Sequence, residues 1–203
     1  MTPLRSAIDV GSSTFASNRD HNLQALQILH KTLSKARAGG GERYQQRHVS
    51  RGKLLAHQRI ELLLDRGSPF LELGALAGMH ESGVVPGGSM MGGIGWVKGR
   101  PCVVTATDPT VSGGAINAWG LKRSARLDEV AYENRLVTLH CIESAGADLP
   151  NQANIFVPGG EHFRNIARRS REHIPTVSMV FGCLLYTSPS PRDATLSRMP
   201  SSA

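Results

Sequence analysis

Cysteine is scarce in this chain and never paired. Cys102, Cys141 and Cys183 stand alone with no C-x-x-C spacing, which argues against a disulfide scaffold and a cysteine zinc ribbon. A reducing compartment is the expected setting. Aromatic residues make up 5% of the sequence and do not interleave with the basic groups, so a surface that stacks single-stranded bases lacks its platforms. Acidic charge is the minority sign: Asp and Glu number 16 against 23 Lys and Arg, a formal net charge of +7. Such an excess favours contact with something anionic, whether nucleic acid, phospholipid or a phosphate-bearing cofactor. No run of about 18 apolar residues occurs, and the start MTPLRSAIDVGSSTF has no long apolar core. A membrane span and a signal peptide are both disfavoured, and a cytoplasmic protein is expected.

Familiar catalytic motifs are missing as well. There is no nucleophile elbow, no Walker loop and no dinucleotide fingerprint; Met91-Gly-Gly-Ile-Gly sits before a strand pattern, not after one. The eight histidines form no H-E-x-x-H arrangement, and Glu161-His162 and Glu172-His173 are isolated pairs. No bound metal is expected.

What is present is a globular composition, 40% hydrophobic and 19% charged, with 22 glycines and 11 prolines for turns. The length allows one domain, or one and part of another. Leu23, Leu26, Leu29 and Leu33 recur at helical spacing over residues 22–37, with Asn22 as a candidate cap and Ala38-Gly39-Gly40-Gly41 as the stop. Residues 50–67 read as a second helix, with Leu54, Ile60 and Leu63 on one side and Arg59 and Asp65 turned elsewhere. Gly67-Ser68-Pro69 forces a turn. Residues 92–97 and 101–107 read as a hairpin around Lys98-Gly99-Arg100. A helical run follows from Ala115, then a strand over 136–142, a helix around 163–171 and a strand over 176–181. Strand, glycine loop, helix, strand, glycine loop, helix, strand is an α/β layout.

The two glycine loops, 107–115 and 143–150, are the candidate chemistry. Small residues let a ligand approach the backbone, and an amide exposed at a helix start can donate to a developing negative oxygen. Ordinary turns use glycine in the same way, so both readings stay open. Glu143 and Asp148 flank the second loop as possible acid/base groups, although acidic residues near a helix start more often cap it or pair with arginine. The basic residues fall into three groups, Lys31 to Lys53, Lys122 to Arg126 and Arg164 to Arg171, most of which read as solvated helix faces.

From Cys183 the character changes to a Ser/Pro-rich stretch without sustained periodicity. Residues 183–193 and 197–203 resemble the in-frame translation of a transposase-type sequencing adapter, two matches in order with a variable index between them. Residues 183–203 are therefore expected to be adapter-derived and unstructured, and the natural sequence is expected to continue beyond Gly182. The tail carries two arginines against one aspartate, so the basic excess belongs to the body.

Residues 51–74 (RGKLLAHQRIELLLDRGSPFLELG), 85–115 (VPGGSMMGGIGWVKGRPCVVTATDPTVSGGA), 134–160 (NRLVTLHCIESAGADLPNQANIFVPGG) and 174–182 (IPTVSMVFG) together carry a resemblance. They are similar to the amino-terminal domain of the carboxyltransferase (β) subunit of biotin-dependent acyl-CoA carboxylases, of the propionyl-CoA/methylcrotonyl-CoA type, over roughly residues 40 to 182. The resemblance implies an α/β, crotonase-like (ClpP/crotonase) spiral of ββα units, truncated here. Residues 1–50 would be a helical amino-terminal extension and 51–182 a partial amino-terminal carboxyltransferase domain.

The implied function is movement of a carboxyl group from carboxybiotin to an acyl-CoA such as propionyl-, acetyl- or methylcrotonyl-CoA. Carboxybiotin would release CO2 beside the thioester, the ureido nitrogen would take the carbon-bound proton, and the enolate would capture CO2. The family motif D/E-S-G-G-A corresponds to Glu143-Ser144-Ala145-Gly146-Ala147. It implies an oxyanion hole at the backbone amides of Ala145 and Gly146, with Glu143, Ser144 and Ala147 as the supporting loop and alanine standing where glycine is usual. Ser112, Gly113, Gly114 and Ala115 would bind acyl-CoA, with Ser112 where relatives often carry lysine. Biotin would arrive on a carrier domain of a biotin carboxylase/biotin carrier α subunit. The β subunits would form a homo-oligomer, a hexamer at full length, and the fragment alone would be inactive. No nucleic-acid or membrane partner is implied. Two other readings are the corresponding subunit of a biotin-dependent acyl-CoA decarboxylase and, in another class, a basic nucleic-acid-binding module.

Overall fold

The computed structural model describes residues 6–182; the stretch read as adapter-derived lies outside the described residues. Three helices come first: α1 (Ser13–Ala38), α2 (Glu42–Val49) and α3 (Ala56–Leu63). The first starts earlier than its leucine repeat indicates. Ser12 is the cap, accepting from the Phe15 N–H at 3.2 Å, while Asn22 lies inside the helix and donates to the Asn18 carbonyl. No residue of α1 is fully buried; Leu23, Leu26 and Leu29 of its leucine stripe are exposed and Leu33 is half-buried.

The helix expected over residues 50–67 is shorter, with only Ala56–Leu63 helical inside that span and a further helix, α2, ending just before it. Gly52, with φ of 72°, turns the backbone after α2, and α3 begins at Ala56, where the Gln58 side chain accepts from the Leu55 N–H. Arg59 is also placed differently from its reading as an outward residue. It lies on the buried face of α3 beside Ala56 and Ile60, at 5% exposure.

A five-stranded mixed sheet follows, in the order β1 (Leu71–Glu72), β2 (Met90–Val97), β3 (Arg100–Thr107), β4 (Val137–Ile142), β5 (Thr176–Val180). The pairs β1–β2 and β2–β3 are antiparallel, and β3–β4 and β4–β5 are parallel. Lys98 and Gly99, both with positive φ, close the β2–β3 hairpin as a two-residue turn whose twist suits paired strands. The Asp65 carboxylate accepts from both of their N–H groups at 2.7 Å. Parallel pairing requires crossovers, supplied by α4 (Ala118–Glu133) between β3 and β4 and α5 (Phe156–Arg171) between β4 and β5. The helix expected around Phe163 thus starts seven residues earlier. The unit β2-β3-α4 is one ββα module, and the result is the α/β crotonase-like arrangement as an open sheet.

Alternation along β3 divides the core. Cys102, Val104 and Ala106 point with Cys141 toward Ala56 and Ile60 of α3. Val103 points the other way, onto Leu127 and Ala131 of α4. Two basic residues read as parts of solvated faces, Arg123 and Arg169, belong to the interior instead, and a third, half-buried Lys53, reaches inward. Lys53 is drawn to a buried carboxylate, Arg123 donates to the carbonyls of Leu73, Gly87 and Met90 and to Glu72, and Arg169 donates to Thr138 and the Pro175 carbonyl.

Candidate active site

Adjacent parallel strands β3 and β4 end at Thr107 and Ile142, and the chain leaves each through a glycine-bearing loop. Ligands of open α/β sheets gather at this edge, where helix amides and loop backbones converge. The first loop forms a short 3-10 turn over Ser112–Gly114, and Asn117 caps α4 by accepting from the Gly120 N–H at 2.8 Å. The second runs from Glu143 to Asp148.

The two loops are joined through their backbones. The Ala145 N–H donates to the Gly113 carbonyl (3.0 Å), the Ile116 N–H to the Gly146 carbonyl (2.8 Å) and the Asp148 N–H to the Ile116 carbonyl (3.1 Å). Ser144 adds its hydroxyl, which donates to the Gly114 carbonyl at 2.6 Å and accepts from the Gly146 N–H at 3.0 Å. Thr107 closes the base: its hydroxyl accepts from the Glu143 N–H (2.6 Å) and donates to the Glu143 carbonyl (2.8 Å). Such close approach is possible because Gly114 lacks a side chain; a Cβ there would lie 2.4 Å from the Glu143 oxygen.

The sequence-predicted residues Ser112, Gly113, Gly114 and Ala115 therefore meet Glu143, Ser144, Ala145, Gly146 and Ala147 in one place. Ser112, Gly113, Ala145 and Ala147 are exposed, while Gly114, Glu143 and Ser144 are buried beneath them. Both amides expected to form an oxyanion hole have protein acceptors here, Gly113 O for Ala145 and Ser144 Oγ for Gly146. Asp148 accepts from the Asn151 side chain at 2.8 Å in the turn that follows.

Glu143 holds the most polar contact set. Its Oε1 accepts from Lys53 Nζ and its Oε2 from Arg59 Nη2, with His48 Nε2 3.8 Å from Oε2. Burial pushes this carboxyl's pKa up, but the hydrogen bonds and charges of Lys53 and Arg59 outweigh that and hold it below the ordinary carboxylate range. Sequence reasoning missed these partners. The signal was there for Arg59, which falls within the helical stripe of Ala56, Ile60 and Leu63.

Two cavities meet at the joined loops. One, of about 380 Å³, lies between the sheet and helices α4 and α5 and is lined by Ser144, Gly146 and Ala147 above and by Leu121, His140 and Ile166 deeper in. The other, of about 500 Å³, lies beyond Ser112 and Gly113 and is lined by Tyr44, Arg47, His48 and Arg51. A larger hollow of about 810 Å³ sits against α3 around His57 and Phe70, away from both loops. In the first cavity His140 Nδ1 lies 2.7 Å from the Thr105 hydroxyl, and burial pushes the imidazole's pKa down to about 4. His162 Nδ1 lies 2.9 Å from Asp128 Oδ2; that hydrogen bond raises its pKa against the opposing effect of burial. Among the described residues no three His, Cys, Asp or Glu side chains cluster closely enough to hold a metal ion, and no helix is long and apolar enough to cross a membrane.

Comparison with known proteins places the chain by family and fold. Residues 47–184 match the carboxyl transferase domain family. The biotin-dependent 3-methylcrotonyl-coenzyme A carboxylase beta1 subunit of Mycobacterium tuberculosis is 44% identical over 171 residues, which is 80% of this chain and 32% of that protein. The crystal structure of the Pseudomonas aeruginosa geranyl-CoA carboxylase beta subunit superposes with a TM-score of 0.74 at 39% identity, over 86% of this chain and 33% of that one. The transcarboxylase 12S hexamer, solved with methylmalonyl-coenzyme A bound, gives a TM-score of 0.68 at 28% identity, over 77% of this chain and 31% of that one. The chain spans about a third of the length of the relatives it matches. It belongs to the carboxyl transferase domain family, on the branch of the β subunits of biotin-dependent acyl-CoA carboxylases.

Proposed function

We propose that the full-length protein moves a carboxyl group from carboxybiotin to an acyl-CoA, and that the joined loops after β3 and β4 hold the thioester. The observation that carries this reading is the union of two glycine turns at the ends of adjacent parallel strands, with one cavity on each side. The cavity lined by Leu121 and Ile166 suits an acyl chain, and the one lined by Tyr44, Arg47 and Arg51 suits the phosphates and base of CoA.

In this reading the Ala145 and Gly146 amides donate to the thioester oxygen as it gains negative charge. Rotation of the Ser144 side chain releases the Gly146 N–H, and the Ala145 N–H is shared with the Gly113 carbonyl as a three-centre bond. Glu143, with both carboxylate oxygens engaged by Lys53 and Arg59, is no proton carrier.

Biotin supplies the carboxyl group on a carrier domain of an α partner that also carries the biotin carboxylase. A hexamer of β subunits is supported by the hexameric assembly of transcarboxylase 12S. Residues 1–50 act as a helical extension and 51–182 as part of the amino-terminal carboxyltransferase domain.

The test is an assay of the full-length protein with its biotinylated partner, offered propionyl-, acetyl- and methylcrotonyl-CoA. At least one should be carboxylated. Gly146→Val, with a Cβ forced onto a φ of 96°, should lower kcat by about 10² or more in an enzyme whose fold is verified by circular dichroism. No transfer to any of the three by the wild type would overturn the reading.

A further inference from the structure

Glu143 opens the loop that holds the thioester, yet its carboxylate lies with Cys141 on the α3 side of the sheet and lines neither of the two cavities. It is tied down from four directions. Lys53, from the segment before α3, takes one oxygen, and Arg59 of α3, 5% exposed, takes the other. The Thr107 hydroxyl holds both backbone groups. Chain from the end of β5 presses in from the last direction: the Phe181 N–H donates to the Ile142 carbonyl at 2.8 Å, the Phe181 ring lies 4.6 Å from the Arg59 guanidinium carbon, and a Cβ on Gly182 would come within 2.9 Å of the carboxylate.

Among the described residues Arg59 Nε and Nη1 have no acceptor. Among the described residues Glu143 is the only carboxylate within ion-pair distance of this buried guanidinium. A buried charge with one partner is a poor source of net stability, because desolvation opposes the attraction. What it fixes well is position, since planar guanidinium and carboxylate meet in few geometries.

We propose that the Glu143–Arg59–Lys53 ion pair is a positioning device for carboxyl transfer, setting the placement of the Ala145 and Gly146 amides without touching substrate. The proposal rests on the functional reading above. Glu143 fixes the start of the loop, two residues from Ala145 and three from Gly146, and in that reading the amides meet no part of the substrate but the reacting oxygen. Loss of the ion pair should therefore lower kcat and leave KM for acyl-CoA nearly unchanged. A misplacement of about 1 Å at a reacting centre is enough for losses of about 10²-fold.

The experiment compares full-length wild type, Lys53→Met and the double variant Arg59→Met with Glu143→Gln, all with the biotinylated partner. The double change removes both buried charges together, so neither is stranded and folding is retained. Lys53 is partly exposed, so its variant keeps the inner pair and folds even if the double variant does not. Assays at a temperature well below each protein's melting transition should show kcat lowered about 10- to 100-fold in the double variant and about 3- to 10-fold in Lys53→Met, with KM within about 3-fold. A Lys53→Arg variant should recover most of the loss. Wild-type kcat in a folded double variant, or in Lys53→Met, would overturn the positioning role while leaving the transfer reading intact. A wild type without transfer would overturn both.

Discussion

At Gly114 the difference between one hydrogen and a methyl group decides whether two loops can touch. An added Cβ would lie 2.4 Å from the Glu143 carbonyl oxygen and 3.2 Å from the Ser144 Cα, on a backbone whose φ of 76° already disfavours a side chain. Its neighbour Gly113 has a similar φ, yet a Cβ there would meet only the Ala145 Cβ at an ordinary 3.5 Å. Gly114→Ala should therefore cost about 2–4 kcal/mol and Gly113→Ala about 1 kcal/mol, the first from overlap plus strain and the second from strain alone. Denaturant unfolding of both variants of the full-length protein checks the contrast, and equal losses would count against it. In the sequence the glycine pair announces a loop, but which glycine is indispensable depends on backbone 30 residues away. Arg59 was hidden for a related reason: charge argues for solvent, and only the burial of its one carboxylate partner reverses that preference.

Among the elements, four of the five strands and both crossovers were legible because alternating and short apolar runs bounded by glycine leave little freedom in where strands begin, whereas β1, two residues long, offers no period to read. Helix starts were not legible either. The Ser12 and Ala56 starts are set by local hydrogen bonds, and α5 begins at Phe156, ahead of the amphipathic part that marks it in sequence.

The layer between sheet and crossover helices holds a second feature that pattern alone could not give. His140 on β4 faces Asp128 of α4 and His162 and Arg169 of α5 across the cavity between sheet and helices. Its folded pKa of about 4 lies below the ordinary 6.5, so the folded state takes up a proton less readily than the unfolded chain. Its contribution to stability is complete above pH 6.5 and is lost as pH falls through that interval toward 4, by roughly 3 kcal/mol at most. His162, whose pKa is raised, acts in the opposite sense: it adds stability at low pH that is lost as pH rises through its folded pKa. Thermal melting from pH 7.5 to 4.5 should show the net fall, and His140→Gln should flatten it. An unchanged pH profile in that variant would show that the imidazole is not responsible.

At the scale of the molecule, two regions stand out among the described residues for exposed apolar side chains. One is the uncovered stripe of α1, where Leu23, Leu26 and Leu29 are all exposed. The other runs over α5 and β5, where Phe156, Val157, Phe163, Val177, Val180 and Phe181 are exposed and β5 forms the last strand of the sheet. An unpaired edge beside apolar side chains invites pairing with another chain. Residues 1–182 expressed alone should associate, with sedimentation velocity showing species larger than a monomer at about micromolar concentration. A clean monomer under those conditions would mean that these surfaces are less adhesive than their exposure implies. This property was partly legible, since the resemblance implied a partnered domain, but the particular residues were not.

The hydrogen bonds between the loops have a consequence for when conformational freedom is given up. Ala145, Ile116 and Asp148 bind the second loop to the first in the protein by itself, before any ligand arrives. Their disorder is removed during folding, so in the proposed function a thioester would not have to organise two independent segments to find its donors. Under the function proposed above, affinity that would otherwise be consumed in closing a mobile site would remain available for the reaction, with the Ser144 rotamer and the sharing of the Ala145 N–H left to adjust.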